Sequence, residues 1–387
     1  MSDMLELEKL IRPPISETTS LKTALEIPSD FRFDAVPGLP IFLPSPTPDL
    51  GPLAAFVGTF AGNGFNTIFR PDNPVTPTAL PIPVSGDNIL ELNLTSETLS
   101  FSPSLGAVPN RGEVQGDINL NGVPYLQSIA DVTTGQRIGI HFEPGLWMIV
   151  PATTNPPEGV TVVRMASIPH GTTIEAQGTF SVINGPPVIP AIDITPFAIG
   201  GGKIRFASQT ASASGTARIP QDLTPFIAAG TITQAMLDDP NSVLRDHIAS
   251  QNIVSTTVIT VATNSGPQIA GGGTDNIDFL QINANAVQMM ATFWIETVEF
   301  IIEIPPLPLR AGALELRLQP QSRNGARVPT FIGLPPIGIP PPRTITVKST
   351  QIQYSQVVLL NFNGLSWPHV SVATLVPADP IPIPGWA

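Results

Sequence analysis

The sequence predicts an all-β fold, built either as an antiparallel barrel or as a sandwich. Among 387 residues there are 45 prolines and 32 glycines, and both residue types interrupt helices and mark turns. Between these turns lie short segments in which apolar and polar residues alternate, which is the period of a strand with two distinct sides. Helical periodicity is confined to one stretch, so the strands lack the intervening helices that parallel crossovers need.

The composition indicates a large buried core and excludes several kinds of partner. Hydrophobic residues make up 42% of the chain and charged residues only 12%, which argues against disorder. A net charge of −12 without a basic cluster argues against nucleic acid. The absence of cysteine rules out disulfides and thiolate ligands. With no apolar run near ~20 residues and no signal-peptide pattern, we expect a cytoplasmic protein without a membrane partner.

Proline-rich segments set the expected domain organisation. Residues 1–50 form a predicted N-terminal arm, residues 51–377 a barrel domain, and residues 378–387 a tail. Such an arm either packs across its own body or reaches a neighbouring subunit, so a homo-oligomer held by the arms is one expectation.

The strands are predicted in order along the body. The first covers residues 54–69, and its glycines at 58, 62 and 64 indicate a bend, a bulge or the close approach of another backbone. Residues 160–166 and 172–180 form a predicted hairpin around Pro169-His170-Gly171. Further strands are predicted over 89–94, 116–122, 125–132, 138–142, 145–150, 253–263, 279–282, 286–304 and 344–360. Residues 224–250 carry the helical material.

The last predicted strand, residues 369–376, has two clearly different faces. One face carries His369, Ser371, Ala373 and Leu375, and the other carries three valines and a threonine. The chain has no nucleophile elbow, no phosphate-binding loop and no H-E-x-x-H pattern. The candidate functional residues are therefore its four histidines, His141, His170, His247 and His369. Of these, His247 is expected on the surface of a helix.

Four parts of the chain, taken in order, resemble nitrobindin-like haem-binding β-barrels. Residues 53–71 are similar to the opening glycine-rich strand of that family, and Ile140-His141-Phe142-Glu143-Pro144-Gly145-Leu146-Trp147 is similar to its H-x-E-x-G-(aromatic) segment. Residues 168–178 resemble the following strand. Residues 352–354 and 368–372 resemble the last two strands, including the final histidine.

The resemblance implies a ten-stranded, calycin-like antiparallel barrel with one haem b in its mouth. His369 matches the proximal iron ligand of the family, whose iron reacts with nitric oxide, peroxynitrite or peroxide. The implied activity is that of a peroxynitrite isomerase or a peroxidase-like protein. The chain departs from the family at Phe60, where tryptophan is usual, and residues 186–284 and 305–343 look like insertions.

Other residues receive roles from their position or from the resemblance. Arg70 and Arg164 are expected partners of the haem propionates, and His170 a rim or distal-side residue. His141 is either a structural partner of the adjacent turn or, together with Glu143, a distal or acid–base group.

Two alternative functions fit the same predicted barrel. One is a metal-free barrel that binds a hydrophobic small molecule, as a carrier or a structural module. The other is a cofactor-free isomerase or cyclase that uses Glu143 with His141.

Overall fold

The computed structural model describes residues 49–84, 86, 88–264, 271–305, 315–322, 326–334 and 343–386. The predicted N-terminal arm therefore lies almost entirely outside the described residues, and so does much of the segment 305–343.

Ten antiparallel strands form a closed barrel in which every strand pairs with its neighbours in the chain, and the last pairs with the first. The strands are β1 (Gly58–Pro71), β2 (Asn88–Phe101), β3 (Ile118–Asp131), β4 (Ile138–Val150), β5 (Thr161–Ile168), β6 (Thr172–Asn184), β7 (Asn252–Ala262), β8 (Asn285–Ile304), β9 (Arg343–Phe362) and β10 (Leu365–Pro377). This confirms the predicted all-β class and decides for a barrel over a sandwich.

The alternation predicted for the last strand is confirmed in β10. Ala373 and Leu375 pack in the cluster that fills the barrel interior, whereas Val370 and Val372 belong to a second cluster on the outer face. Both faces of β10 are buried because other parts of the chain cover the outside of the barrel there.

Helices occur in two of the connections. They are α1 (Thr224–Ala228), α2 (Gln234–Asp238), α3 (Ser242–Ile248) and α4 (Asp278–Asn283). The first three confirm the predicted helical stretch, and residues of this segment, among them Leu237 and Leu244, pack on the outer face of the barrel.

One predicted strand and two predicted strand breaks were wrong. Residues 279–282 belong to α4, where Phe279 and Ile282 project into solvent; a four-residue apolar run does not distinguish helix from strand. The breaks predicted near Pro124 and Pro144 are absent because the pairing of β3 with β4 continues through both prolines. Within the stretch 186–284, the strand predicted over 253–263 is β7 of the barrel.

Short strands complete the described structure. They are Val108–Asn110, Thr153–Thr154, Pro157–Glu158, Phe197–Ala198, Arg218–Ile219, Gly273–Asn276, Leu316–Leu318, Phe331–Gly333 and Ile381–Pro382. The last of these belongs to the predicted tail and pairs with Phe331–Gly333 over the far ends of β8 and β9. No helix in the described residues is long and apolar enough to cross a membrane.

Candidate functional site

The barrel interior changes from apolar at one end to polar at the other. On β4 the inward side chains run from Trp147 through Glu143 to His141, and on β10 they run from Leu375 to His369. The apolar end is closed by Leu53 and Phe56, which precede β1 and join the interior cluster. The polar end carries the histidines, so we treat it as the mouth of the candidate site.

A buried ion pair occupies the middle of the interior. The Arg164 guanidinium donates to Glu143 Oε1 at 2.6 Å and to Gln356 Oε1 at 2.6 Å. Its Nε donates to the Tyr125 hydroxyl at 2.9 Å, and that hydroxyl donates in turn to Glu143. Burial alone would raise the pKa of Glu143, but the Arg164 charge and the hydrogen bond from His141 outweigh it and bring the pKa to about 2. Glu143 is therefore a fixed negative charge.

Strand register explains why Arg164 reaches this position. It lies opposite Trp147 in the pairing of β4 with β5, so both side chains point inward at nearly the same depth. Its guanidinium carbon lies 5.7 Å from the ring centroids of Tyr125 and Trp147 and 5.3 Å from that of Phe293. These rings exclude water and attract the cation through their faces.

A second buried carboxyl, Glu97, also lies inside the barrel, and within the described part of the chain no arginine or lysine pairs with it. It accepts hydrogen bonds from the Tyr354 hydroxyl at 2.6 Å and from the Thr95 hydroxyl at 2.7 Å. Burial raises its pKa above the ordinary value, although these hydrogen bonds oppose the shift. The interior thus holds one carboxyl whose pKa is lowered by an ion pair and one whose pKa is raised by burial.

His141 links the ion pair to the mouth. Its Nε2 lies 3.0 Å from Glu143 Oε2, so the carboxylate accepts from Nε2–H. His141 and His170 are 5.5 Å apart between ring centroids, and both line a cavity of about 520 Å³ at the mouth. Arg137, Ile129 and Phe142 line the same cavity.

His369 faces the other two histidines from β10. Burial lowers its pKa to about 3, with further lowering from His141 and His170, so its imidazole is neutral at physiological pH. The ring is nevertheless only half-buried, which places it next to space that water can enter. Its Nε2 lies 2.7 Å from the Asn66 side-chain amide nitrogen, and that nitrogen also donates to Ser371 Oγ at 2.7 Å.

The predicted site residues fall into two groups. His141, Glu143, His170 and His369 come together at the mouth and just beneath it. Arg164 adjoins them but is fully buried and engaged by Glu143, so it is not available at the rim. Arg70 lies near the end of β1 and pairs with Glu91 at 3.2 Å, and His247 lies on α3 outside the barrel.

Sequence reasoning missed Asn66, Arg137 and the tyrosines of the interior network. Asn66 could have been found, because it lies an even number of residues from Phe60 and Gly62 and so shares the inward face of β1. Arg137 follows a turn, and nothing in its local pattern shows that it borders the cavity.

In the part of the chain that the structure describes, no three His, Asp or Glu side chains are arranged to hold a metal ion by themselves. A porphyrin already supplies four nitrogen ligands to its iron, so a single histidine is enough for that cofactor.

Comparison with known proteins adds little. No protein-family model matches the chain, and no curated protein does. The crystal structure of Rv2717c from M. tuberculosis is similar over 87% of this chain and 100% of that chain, with 10% sequence identity and a TM-score of 0.34. A likeness of this size carries no argument about function.

Proposed function

We propose that the barrel binds haem b at its histidine-lined mouth, with His369 as the protein ligand of the iron. The observation that carries this proposal is a neutral, half-buried imidazole on the last strand, facing two further histidines. Neutral imidazole is the form that binds iron, and a single protein ligand leaves the sixth position open. Bound haem would supply reactivity toward nitric oxide, peroxynitrite or peroxide.

The contacts of His369 are compatible with that role. Iron would have to take the Nε2 lone pair, which now lies against the Asn66 amide. Asn66 keeps a second acceptor in Ser371 Oγ at 2.7 Å, so its amide would not be left without a partner. The N–H that now faces Nε2 would lose its acceptor, so the exchange costs one hydrogen bond.

The cavity lined by His141 and His170 supplies part of the surroundings that a porphyrin with two carboxylates needs, and His369 lies outside its lining. Its volume of about 520 Å³ lies within the ordinary range for ligand pockets. Ile129 supplies apolar contact and Arg137 supplies a cation for a carboxylate, whereas Phe142 borders the cavity from the outer side of the barrel. Arg137 therefore replaces the fully buried Arg164 as a propionate partner in this proposal, and Arg70 stays at the rim beside Glu91.

A haemin titration followed by absorbance tests the proposal. Wild-type protein is expected to bind one equivalent and to develop a Soret band, because His369 supplies a neutral axial ligand. His369→Ala should abolish the ligand-dependent band, whereas His247→Gln, outside the barrel, should retain it. A wild-type protein that stays colourless with added haemin would rule the proposal out.

A second candidate function is acid–base chemistry on a metal-free ligand in the same cavity. It is favoured by the 3.0 Å contact between His141 and the ionised Glu143, because a buried carboxylate that orients an imidazole is the usual support of a general base. A carboxylate-bearing apolar probe such as decanoate should then shift the NMR signals of His141 and His170, and Arg137→Gln should weaken the effect. Unchanged signals at saturating decanoate would contradict binding of this ligand class.

A further inference from the structure

We infer that Asn66 is a positioning residue that keeps the His369 proton on Nδ1 and masks the Nε2 lone pair until a ligand takes its place. Asn66 and His369 belong to neighbouring strands, β1 and β10, and Asn66 lies directly opposite Ser371 in their pairing. This places its side-chain amide beside the imidazole, at 2.7 Å from Nε2. The masking step rests on the proposed haem site, but the proton position does not.

The direction of the hydrogen bonds is set at the rim of the barrel. Glu91 is ion-paired with Arg70 at 3.2 Å, and a carboxylate can only accept hydrogen bonds. Asn93 therefore presents its NH₂ group to Glu91 Oε1, at 3.4 Å. The same NH₂ group donates to Asn66 Oδ1 at 3.2 Å.

That donation fixes the orientation of Asn66 and then of His369. With Oδ1 facing Asn93, the Asn66 NH₂ group must face Ser371 and His369. A nitrogen that receives an N–H cannot also carry a proton, so Nε2 holds the lone pair and the neutral ring carries its proton on Nδ1. A carboxylate at the rim thus determines which nitrogen of an interior histidine can bind a ligand.

Long-range ¹H–¹⁵N NMR of metal-free, ¹⁵N-histidine protein tests the proton position. The wild type is expected to show Nδ1–H at His369. Asn66→Asp, which turns the donor into an acceptor and keeps an oxygen for Asn93, is expected to move the proton to Nε2. His247 serves as an internal reference that should not change. Nε2–H in the wild type, or the same tautomer in both proteins, would overturn the inference.

A second variant covers the case in which Asn66→Asp does not fold. Glu91 lies at the more exposed end of this series of hydrogen bonds. In Glu91→Gln the new side chain can offer either an oxygen or an NH₂ group to Asn93. Two coexisting His369 tautomers are expected, because the direction is no longer imposed. A single Nδ1–H tautomer in Glu91→Gln would show that the rim does not set it.

Haemin affinity tests the masking step separately. Asn66→Ala removes the donor that competes for Nε2. The dissociation constant of this variant for haemin is therefore expected to be about 2- to 10-fold lower than that of the wild type, which is the ordinary worth of one hydrogen bond. Equal affinities in the wild type and in Asn66→Ala would overturn the masking. If neither protein binds haemin, the proposed function fails, while the NMR result still decides the role of Asn66 in placing the proton.

Discussion

Glu143 and Arg164 bring two opposite charges into the barrel interior, where neither would be tolerated alone. Both side chains are fully buried and meet at 2.6 Å. The arrangement leaves the interior nearly neutral at this level and provides the fixed acceptor that orients His141. The main contribution of the ion pair is therefore to orient His141, since a buried ion pair often adds little net stability.

Removing one partner of this pair should be costly. Glu143→Gln leaves the Arg164 cation buried without its counter-charge, so we expect the free energy of unfolding to fall by about 3 to 5 kcal/mol. Urea unfolding followed by far-UV circular dichroism measures the change.

The matched control replaces both charges. Glu143→Gln combined with Arg164→Met has no unpaired charge, and it should recover a large part of the stability lost in the single variant. A double variant that is less stable than Glu143→Gln would show that the pair, and not the lone charge, dominates the energetics.

At the scale of single strands, the glycines of β1 permit the close approach of β10. A Cβ atom on Gly62 would lie 1.9 Å from the backbone oxygen of Thr374, and one on Gly64 would lie 2.2 Å from that of Val372. The close approach of a backbone, one of the readings of these glycines in the sequence, is confirmed. The last strand can pair tightly with the first only because these side chains are missing.

Gly62→Ala is therefore expected to destabilise the protein strongly. The clash is with backbone atoms of β10, which can move only by disturbing the closure of the barrel, so we expect a loss of about 2 kcal/mol or more. Gly159→Ala is the control, because a Cβ there meets nothing within 4 Å, and its effect should stay within about 0.5 kcal/mol. Equal unfolding midpoints for the two variants would contradict this account of β1.

A buried polar seam lies on the outer side of β8 and β9, close to α3. Glu296 is fully buried and accepts from Gln351 Nε2 at 2.6 Å, while its other oxygen has no partner. On the same face of β9, Gln353 Nε2 donates to the backbone oxygen of Leu244 in α3 at 3.1 Å. Burial raises the pKa of Glu296 to about 8 despite the hydrogen bond from Gln351.

This shift predicts how stability depends on pH. The folded protein keeps the Glu296 proton up to about pH 8, whereas the unfolded chain loses it near 4.5. Between these values the folded state binds more protons, so the free energy of unfolding falls as the pH rises, by up to ~1.4 kcal/mol per pH unit. Glu296→Gln should remove this part of the slope and be more stable than the wild type at pH 8.

Urea midpoints at pH 5 and pH 8 measure the effect. Glu303→Gln, an exposed position on the same strand, should keep the slope of the wild type. If Glu296→Gln also keeps that slope, the proton on Glu296 does not contribute to folding.

Particular strands show how far the sequence alone could lead. The two faces of β10 and the approach of the Gly62 region were predictable, because alternation and glycine placement are local signals. The neighbourhood of His141 and Glu143 was predictable for the same reason, since residues two apart on a strand share a face. The pairing of Glu143 with Arg164 and of His369 with Asn66 was not, because each depends on the register between two different strands.

At the scale of the whole molecule, the segment between β6 and β7 covers part of the apolar outer surface of the barrel. The outer face carries Trp367, Val370 and Val372, and each of these side chains is at most 1% exposed to solvent. Side chains such as Leu237 and Leu244 from the connecting segment cover them. A barrel without this segment would present a large apolar surface to water, so the segment and the strands are expected to depend on each other for stability.

We therefore expect the barrel and this segment to unfold in one transition. The chain has no cysteine, so a fluorophore attached to Asp246→Cys, at an exposed position on α3, reports on the segment alone. Far-UV circular dichroism reports mainly on the strands, and a label at Ser167→Cys, exposed on β5, is the matched control. Coincident denaturant midpoints from all three signals are expected for a cooperative unit. A transition of the α3 label at lower denaturant would show that the segment detaches first, and that the outer face of the barrel tolerates exposure.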